Sequence, residues 1–201
     1  NLKMFAAIMN NGGLAMWVLF FLNLLLWYGL GYRRLTLRRG TLGNVRRLVR
    51  SHIKKGGKRE RKGIIDYAIV DALQAASEAR ATGEQSRKFI QDALWPYSRS
   101  IKRYSVLVKT IVVLAPLIGL LGTVIGMIET FDALQTNAMF SQGDSISGGI
   151  SKALFTTELG LIVAVPGMII GRSLDKQQRQ LALEFEQIKD IISAKESIDE
   201  A

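Results

Sequence analysis

Lys152 and Glu158 stand six positions apart in a segment, Gly149 to Gly171, that is otherwise apolar or hydroxyl-bearing, and Glu158 follows directly on Thr156-Thr157. An ionised carboxylate at membrane depth costs about 2.5–3.5 kcal/mol on insertion scales, so Glu158 needs a basic partner, a proton or water. Lys152 is a poor partner within one helix, because six residues separate the two by about 9 Å along the axis and about 120° around it. An intermolecular pair, or two separate polar paths, fits that spacing better. Lys152 also lies near enough to the segment's end to snorkel to the membrane surface. Thr123, in a second glycine-rich apolar stretch, is a third candidate polar group, and its simplest role is a hydrogen bond to its own backbone.

Both stretches must be helices that approach closely if these groups are to meet. Ala115, Gly119, Gly122 and Gly126 recur at intervals of four, three and four, which puts them on one helical face. Small residues allow backbone contact in lipid, where apolar side chains gain little from meeting each other. Gly160 is expected to serve the same packing from the other segment. Pro116 and Pro166 are the expected kinks, each freeing a carbonyl that needs another donor.

Apolar residues fall in blocks rather than at helical or strand period, which argues for lipid as the solvent. Gly12–Tyr32 contains 21 residues without a charge and Thr110–Ile128 contains 19. Either crosses a ~30 Å hydrocarbon core. Leu159–Gly171 has only 13 uncharged residues and spans only by extending back through Glu158 to about Ile150. The fold class is therefore an all-α membrane protein with three transmembrane helices, the second and third extended into the cytoplasm. Its divisions are 1–32, an N-terminal segment and first span; 33–105, a basic helical loop; 106–171, the second and third spans; and 172–201, a C-terminal helix.

Residues 33–105 carry 19 Lys+Arg against 6 Asp+Glu, a net of +13, whereas 129–149 carry three acids and no base. The positive-inside rule puts the basic loop and the C-terminus in the cytoplasm and the N-terminus outside. Arg46-Arg47, Lys54-Lys55 and the run from Lys58 to Lys62 lack interleaved aromatic residues, so anionic lipid headgroups explain them better than nucleic acid does. The first apolar run is an anchor rather than a cleaved leader, since only Lys3 precedes it and Tyr32-Arg33-Arg34 follow.

There is no cysteine, and the single histidine, His52, has no second histidine to share a metal. Neither a metal site nor a cofactor is expected. No phosphate-binding glycine loop and no nucleophile constellation suggests an enzyme.

Gly40-Thr-Leu-Gly43 and Lys55-Gly-Gly-Lys58 divide the basic loop into short helices. A helix is predicted from Ile64 to Ala81, with Ile65, Ile69, Ala72, Leu73 and Ala76 on one face and Thr82-Gly83 as its stop. A second runs from about Gly83 toward the next span, with Pro96 as its kink. In the tail, Leu174, Leu181, Phe185, Ile188 and Ile192 form an a/d-like seam. Both packing within the chain and an oligomer contact suit that seam.

Taken together, Ala115-Pro-Leu-Ile-Gly-Leu-Leu-Gly-Thr-Val-Ile-Gly-Met-Ile-Glu-Thr-Phe131 and Gly149-Ile-Ser-Lys-Ala-Leu-Phe-Thr-Thr-Glu-Leu-Gly-Leu-Ile-Val-Ala-Val-Pro166 resemble the paired signature of the ExbB/TolQ/MotA proton-channel family, most closely its ExbB branch. Gly12-Gly-Leu-Ala-Met-Trp17 is similar too. The resemblance implies a protein of the bacterial inner membrane, a homo-oligomer, a pentamer, around the transmembrane helices of two ExbD-like single-span subunits that carry the titrating aspartate. It implies a TonB-like partner that uses the resulting work, with TolQ-like envelope maintenance as the alternative. A flagellar stator fits less well, because that branch usually has four spans. Thr123 and Thr157 occupy the positions of the family's channel threonines. Where ExbB members carry a glutamate this chain has Lys152, and Glu158 falls where they often have a small apolar residue. A non-conducting membrane scaffold is the rival from a different class.

Overall fold

The structure is a computed structural model that describes residues 13–38, 40, 43–54, 63–83, 85–136 and 142–199. Among these, every regular element is an α-helix: α1 (Gly13–Thr36), α2 (Val45–Lys54), α3 (Ile64–Thr82), α4 (Ser86–Lys102), α5 (Ser105–Thr136) and α6 (Gln142–Asp199). Three helical stretches are long and apolar enough to cross a membrane: Gly13–Thr36, Ser86–Asp132 and Gly148–Lys195. The third runs straight through Glu158, as it had to, because the uncharged stretch alone is shorter than a bilayer.

Two compact units make up the chain, one of 1–31 with 104–172 and the other of 32–103 with 173–201. The first is built on α1, α5 and the first part of α6. Met16, Leu19, Leu26 and Leu30 bury one face of α1, while Leu14, Trp17, Phe21, Leu24, Leu25 and Trp27 on its other faces are exposed. A helix apolar on all sides with only one face buried suits a lipid surround. Gly29 lets α1 sit against α5, since a Cβ there would meet Val108 Cγ2 at 3.0 Å.

The second unit packs with large side chains. Helix α3 buries Ile65, Ile69, Ala72 and Ala76. It ends at Gly83, whose φ of 69° is the left-handed stop that glycine adopts without cost, with its N–H bonded to Ala79 O. Helix α3 packs on α4 and on α2. From α6, Leu174, Leu181, Phe185, Ile188 and Ile192 are all buried inside this unit, and Phe185 meets Tyr97 with ring centroids 6.3 Å apart. The tail seam is thus occupied within the chain, and these five side chains are not available as an oligomer contact.

Pro96, expected as a kink, lies inside a helix. Helix α4 runs through Pro96 to Lys102, and the break falls at Arg103-Tyr104. Tyr104 has φ 60°, rare for a residue with a Cβ, and its ring packs edge-on against Tyr28 at 5.8 Å. The break carries no glycine or proline to announce it. Charges 55–62 lie outside the described residues.

Candidate functional site

Helices α5 and α6 run antiparallel, and small residues on both sides set their separation. A Cβ added to Gly160 would lie 2.7 Å from Ala115 O, and one added to Gly119 would lie 2.9 Å from Thr156 O. One on Gly122 would meet Thr156 Oγ1 at 2.7 Å, and one on Gly126 would meet Ala153 Cβ at 3.0 Å. Residue numbers rise on α5 as they fall on α6, so Ala115, Gly119, Gly122 and Gly126 face Gly160, Thr156 and Ala153 in turn. The first two contacts are backbone to backbone and the other two involve only small side chains, which is how helices associate where side-chain burial gains nothing from leaving lipid.

Three hydroxyls are placed by this seam. Thr157 Oγ1 donates to Gly119 O at 3.2 Å, across the helix pair. Thr156 Oγ1 donates to Ala153 O at 2.7 Å and lies 3.3 Å from the same Gly119 O. Thr123 Oγ1 donates to Leu120 O at 2.7 Å, and its backbone N–H reaches back to Gly119 O in the helical ladder. The Gly119 carbonyl is therefore approached by the hydroxyls of both Thr156 and Thr157, while the Thr123 hydroxyl takes the next carbonyl, Leu120 O. A hydroxyl has one proton and two lone pairs. With their protons committed inside the chain, the half-buried Thr123 and Thr157 offer lone pairs outward, suited to a protonated carboxyl, a hydrated proton or a bare cation.

Thr156, buried at 2% exposure, was not singled out from the sequence. The signal was present: Gly149, Ala153, Thr156 and Gly160 repeat the four-three-four spacing of α5, and the phase assigns Thr156 to the seam and Thr157 to its edge. Glu158, one residue further round, is exposed on a face with Leu154, Leu161, Ile162 and Val165. It has no hydrogen bond or ion pair among the described residues. The Lys152 side chain lies outside the described residues.

Pro116 and Pro166 each lie inside an uninterrupted helix. Lacking an N–H, each leaves a carbonyl one turn earlier, Val112 O and Ile162 O, without its ladder donor. Gly167 follows Pro166 at a close approach, with an added Cβ 2.8 Å from Leu26 Cδ2 and 2.9 Å from Val112 Cγ2.

In the second unit, Arg33 was read only as loop charge. It is buried at 1% exposure, with Nη2 donating to Asp175 Oδ1 at 2.8 Å and to Gln178 Oε1 at 2.9 Å. His52 is also buried, its Nδ1 3.0 Å from Leu48 O and its Nε2 3.8 Å from Asp66 Oδ1. Both pairs bridge distant parts of the chain, so no local pattern reveals them.

Three apolar helical stretches, two joined by a glycine seam that presents polar oxygens at its edge, define a multi-pass membrane protein. Residues 60–187, more than half of the chain, match the MotA/TolQ/ExbB proton channel family, and the chain belongs to that family. It is a proton-channel motor subunit in that coarse sense. No curated protein matches the chain.

Proposed function

We propose that this chain is the ExbB-like subunit of an inner-membrane motor, without enzymatic chemistry, that passes protons down their gradient to drive TonB-dependent import across an outer membrane. Five copies surround the helices of an ExbD-like single-span partner, with the N-terminus periplasmic and the basic loop, at 19 − 6 = +13, in the cytoplasm. A TonB-like protein takes up the work.

The observation that supports this reading is the approach of Thr156 and Thr157 to the Gly119 carbonyl of α5, with the Thr123 hydroxyl on the next carbonyl, Leu120 O, leaving acceptor lone pairs beside an exposed apolar face. A partner aspartate that arrives protonated finds acceptors for its proton there. Glu158 adds a carboxylate on the exposed side of the same turn of α6, and Lys152 replaces the acidic residue of the ExbB branch. Each charge crossing 100 mV delivers about 2.3 kcal/mol, so several translocations per work step are needed for appreciable force.

The test is ion flux into liposomes holding this chain with its ExbD-like partner under an imposed potential. Thr123→Val, Thr157→Val and Glu158→Gln should each assemble normally and lower the flux. Undiminished flux in all three would overturn the assignment of the path, and absence of flux in the wild type would favour a scaffold.

A further inference from the structure

In the second unit a groove of two adjoining recesses, about 730 and 390 Å³, runs beside α6, and Asn44 and Gln187 line both. Three arginines line it: Arg34 near the end of α1, Arg38 just past that end and Arg46 in the first turn of α2. All three are exposed, and their guanidinium groups have no hydrogen bond or ion pair among the described residues. Two of their backbones are tied down, since Ile64 N–H donates to Arg38 O at 3.5 Å and Arg46 N–H donates to Asn44 Oδ1 at 3.3 Å. The acids of the groove are already engaged: Asp190 pairs with Arg87 at 3.4 Å, and Glu184 interacts within the chain. The groove therefore carries a surplus of positive charge.

From α6, Gln177, Gln180 and Gln187 line the groove at spacings of three and seven, which keeps them on one helical face. A carboxamide offers both a donor and an acceptor, the complement of a peptide bond. Buried Leu37, Val45 and Leu181 supply the apolar part of the lining. From Gln177 to Ile191 the lining follows α6 for about 21 Å, the length of about six residues of extended chain. Among the described residues no aromatic side chain lines either recess, so nucleic-acid bases have nothing to stack on. Ile191 stands about 30 Å beyond Gly171 along the same helix, out of reach of a headgroup at the bilayer surface.

We propose that this groove binds an acidic peptide segment in extended conformation, with its carboxylates on Arg34, Arg38 and Arg46 and its backbone on the glutamine amides. In an extended chain alternate side chains point the same way, so acids at every second position suit a groove with its cations on one side of the peptide. The proposal does not rest on the ion path. It gives Arg46 a peptide partner in place of the lipid headgroups that the charge runs alone suggested. An exposed charge pair changes affinity about 1.5- to 5-fold, so loss of all three arginines should weaken binding on the order of tenfold.

Fluorescence polarisation with the full chain in detergent tests this, using a labelled peptide of alternating glutamate and threonine, about eight residues long. Wild type should bind it, and Arg34→Gln with Arg38→Gln and Arg46→Gln should weaken binding on the order of tenfold. Arg47→Gln with Arg50→Gln and Lys88→Gln, which removes the same charge from exposed positions outside the groove, should leave affinity near wild type. Gln180→Ala with Gln187→Ala should weaken it without any change of charge. No binding by wild type overturns the proposal, as does an equal loss in the charge-matched control, which would make the attraction non-specific. Unchanged affinity in the glutamine variants also overturns it, because charge alone would then hold the probe. Tighter, arginine-dependent binding of a single-stranded RNA octamer would make the groove a nucleic-acid site, and displacement of the peptide by phosphatidylglycerol micelles but not by phosphatidylcholine would make it a lipid site.

Discussion

The two units of this chain solve the same packing problem in opposite ways. In the unit of 1–31 and 104–172 the pair α5 and α6 meets through glycine, alanine and threonine, with Gly160 and Gly119 at separations where an added methyl group would collide with backbone oxygen. In the unit of 32–103 and 173–201 they meet through leucine, isoleucine and phenylalanine, with a buried arginine pair among them. Solvent explains the difference. Water rewards removal of large apolar side chains from contact with it, by roughly 1.5–3 kcal/mol each, so the second unit concentrates them in a core. Lipid offers no such reward, and the first unit leaves its large apolar residues outward and closes on the backbone.

That contrast predicts unequal responses to the same kind of change. Gly160→Leu should be the most damaging substitution in the chain, because the obstacle at 2.7 Å is the Ala115 carbonyl and cannot rotate away. The cost should exceed the about 1–3 kcal/mol of ordinary overpacking, and denaturation in mixed micelles should find little folded protein. Phe185→Ala should cost about 3–5 kcal/mol by removing a ring from the second unit's core. A Leu161→Ala change on the exposed face of α6 should cost the isolated chain far less, and equal losses would erase the distinction between the units.

Asp175→Ala should come next, at about 3 kcal/mol, since it strands the Arg33 guanidinium, of which Nε and Nη1 already lack partners among the described residues. Arg33→Met with Asp175→Leu should restore most of that loss in the same unfolding assay. Thr156→Val is the smallest change, about 0.6 kcal/mol in line with hydrogen bonds inside membrane proteins. It should leave ion flux near wild type, whereas Thr157→Val, with its hydroxyl at the edge of the seam, should lower flux at similar stability. Equal flux in the two would remove the division between packing and channel threonines.

Much of this was legible along the chain, wherever one residue type settles a local matter. Gly83 ended α3 because a left-handed stop is nearly free only for glycine. The four-three-four spacing of α5 located its packing face, and the lack of charge over 19 residues marked it as a span. Other features were not legible. The interruption at Arg103-Tyr104 carries no glycine or proline and has a ring from α1 packed against it, while Pro96, expected as a kink, sits inside a helix. The tail seam was correctly seen as apolar, yet whether it faced its own chain or another depended on which surfaces were already covered.

By itself, the sequence determined the solvent of each segment, because charge-free length and charge asymmetry are properties of a stretch of chain and need no partner. It likewise determined the family, through two motifs at a set spacing. Only the tertiary structure decided which threonine is a packing group and which stands at the edge of the seam, because neighbouring residues on a helix differ by 100° and the choice between them is made by the register of the antiparallel helix. It also decided that Arg33 is buried, since Asp175 and Gln178, which compensate its charge, lie 142 and 145 positions away.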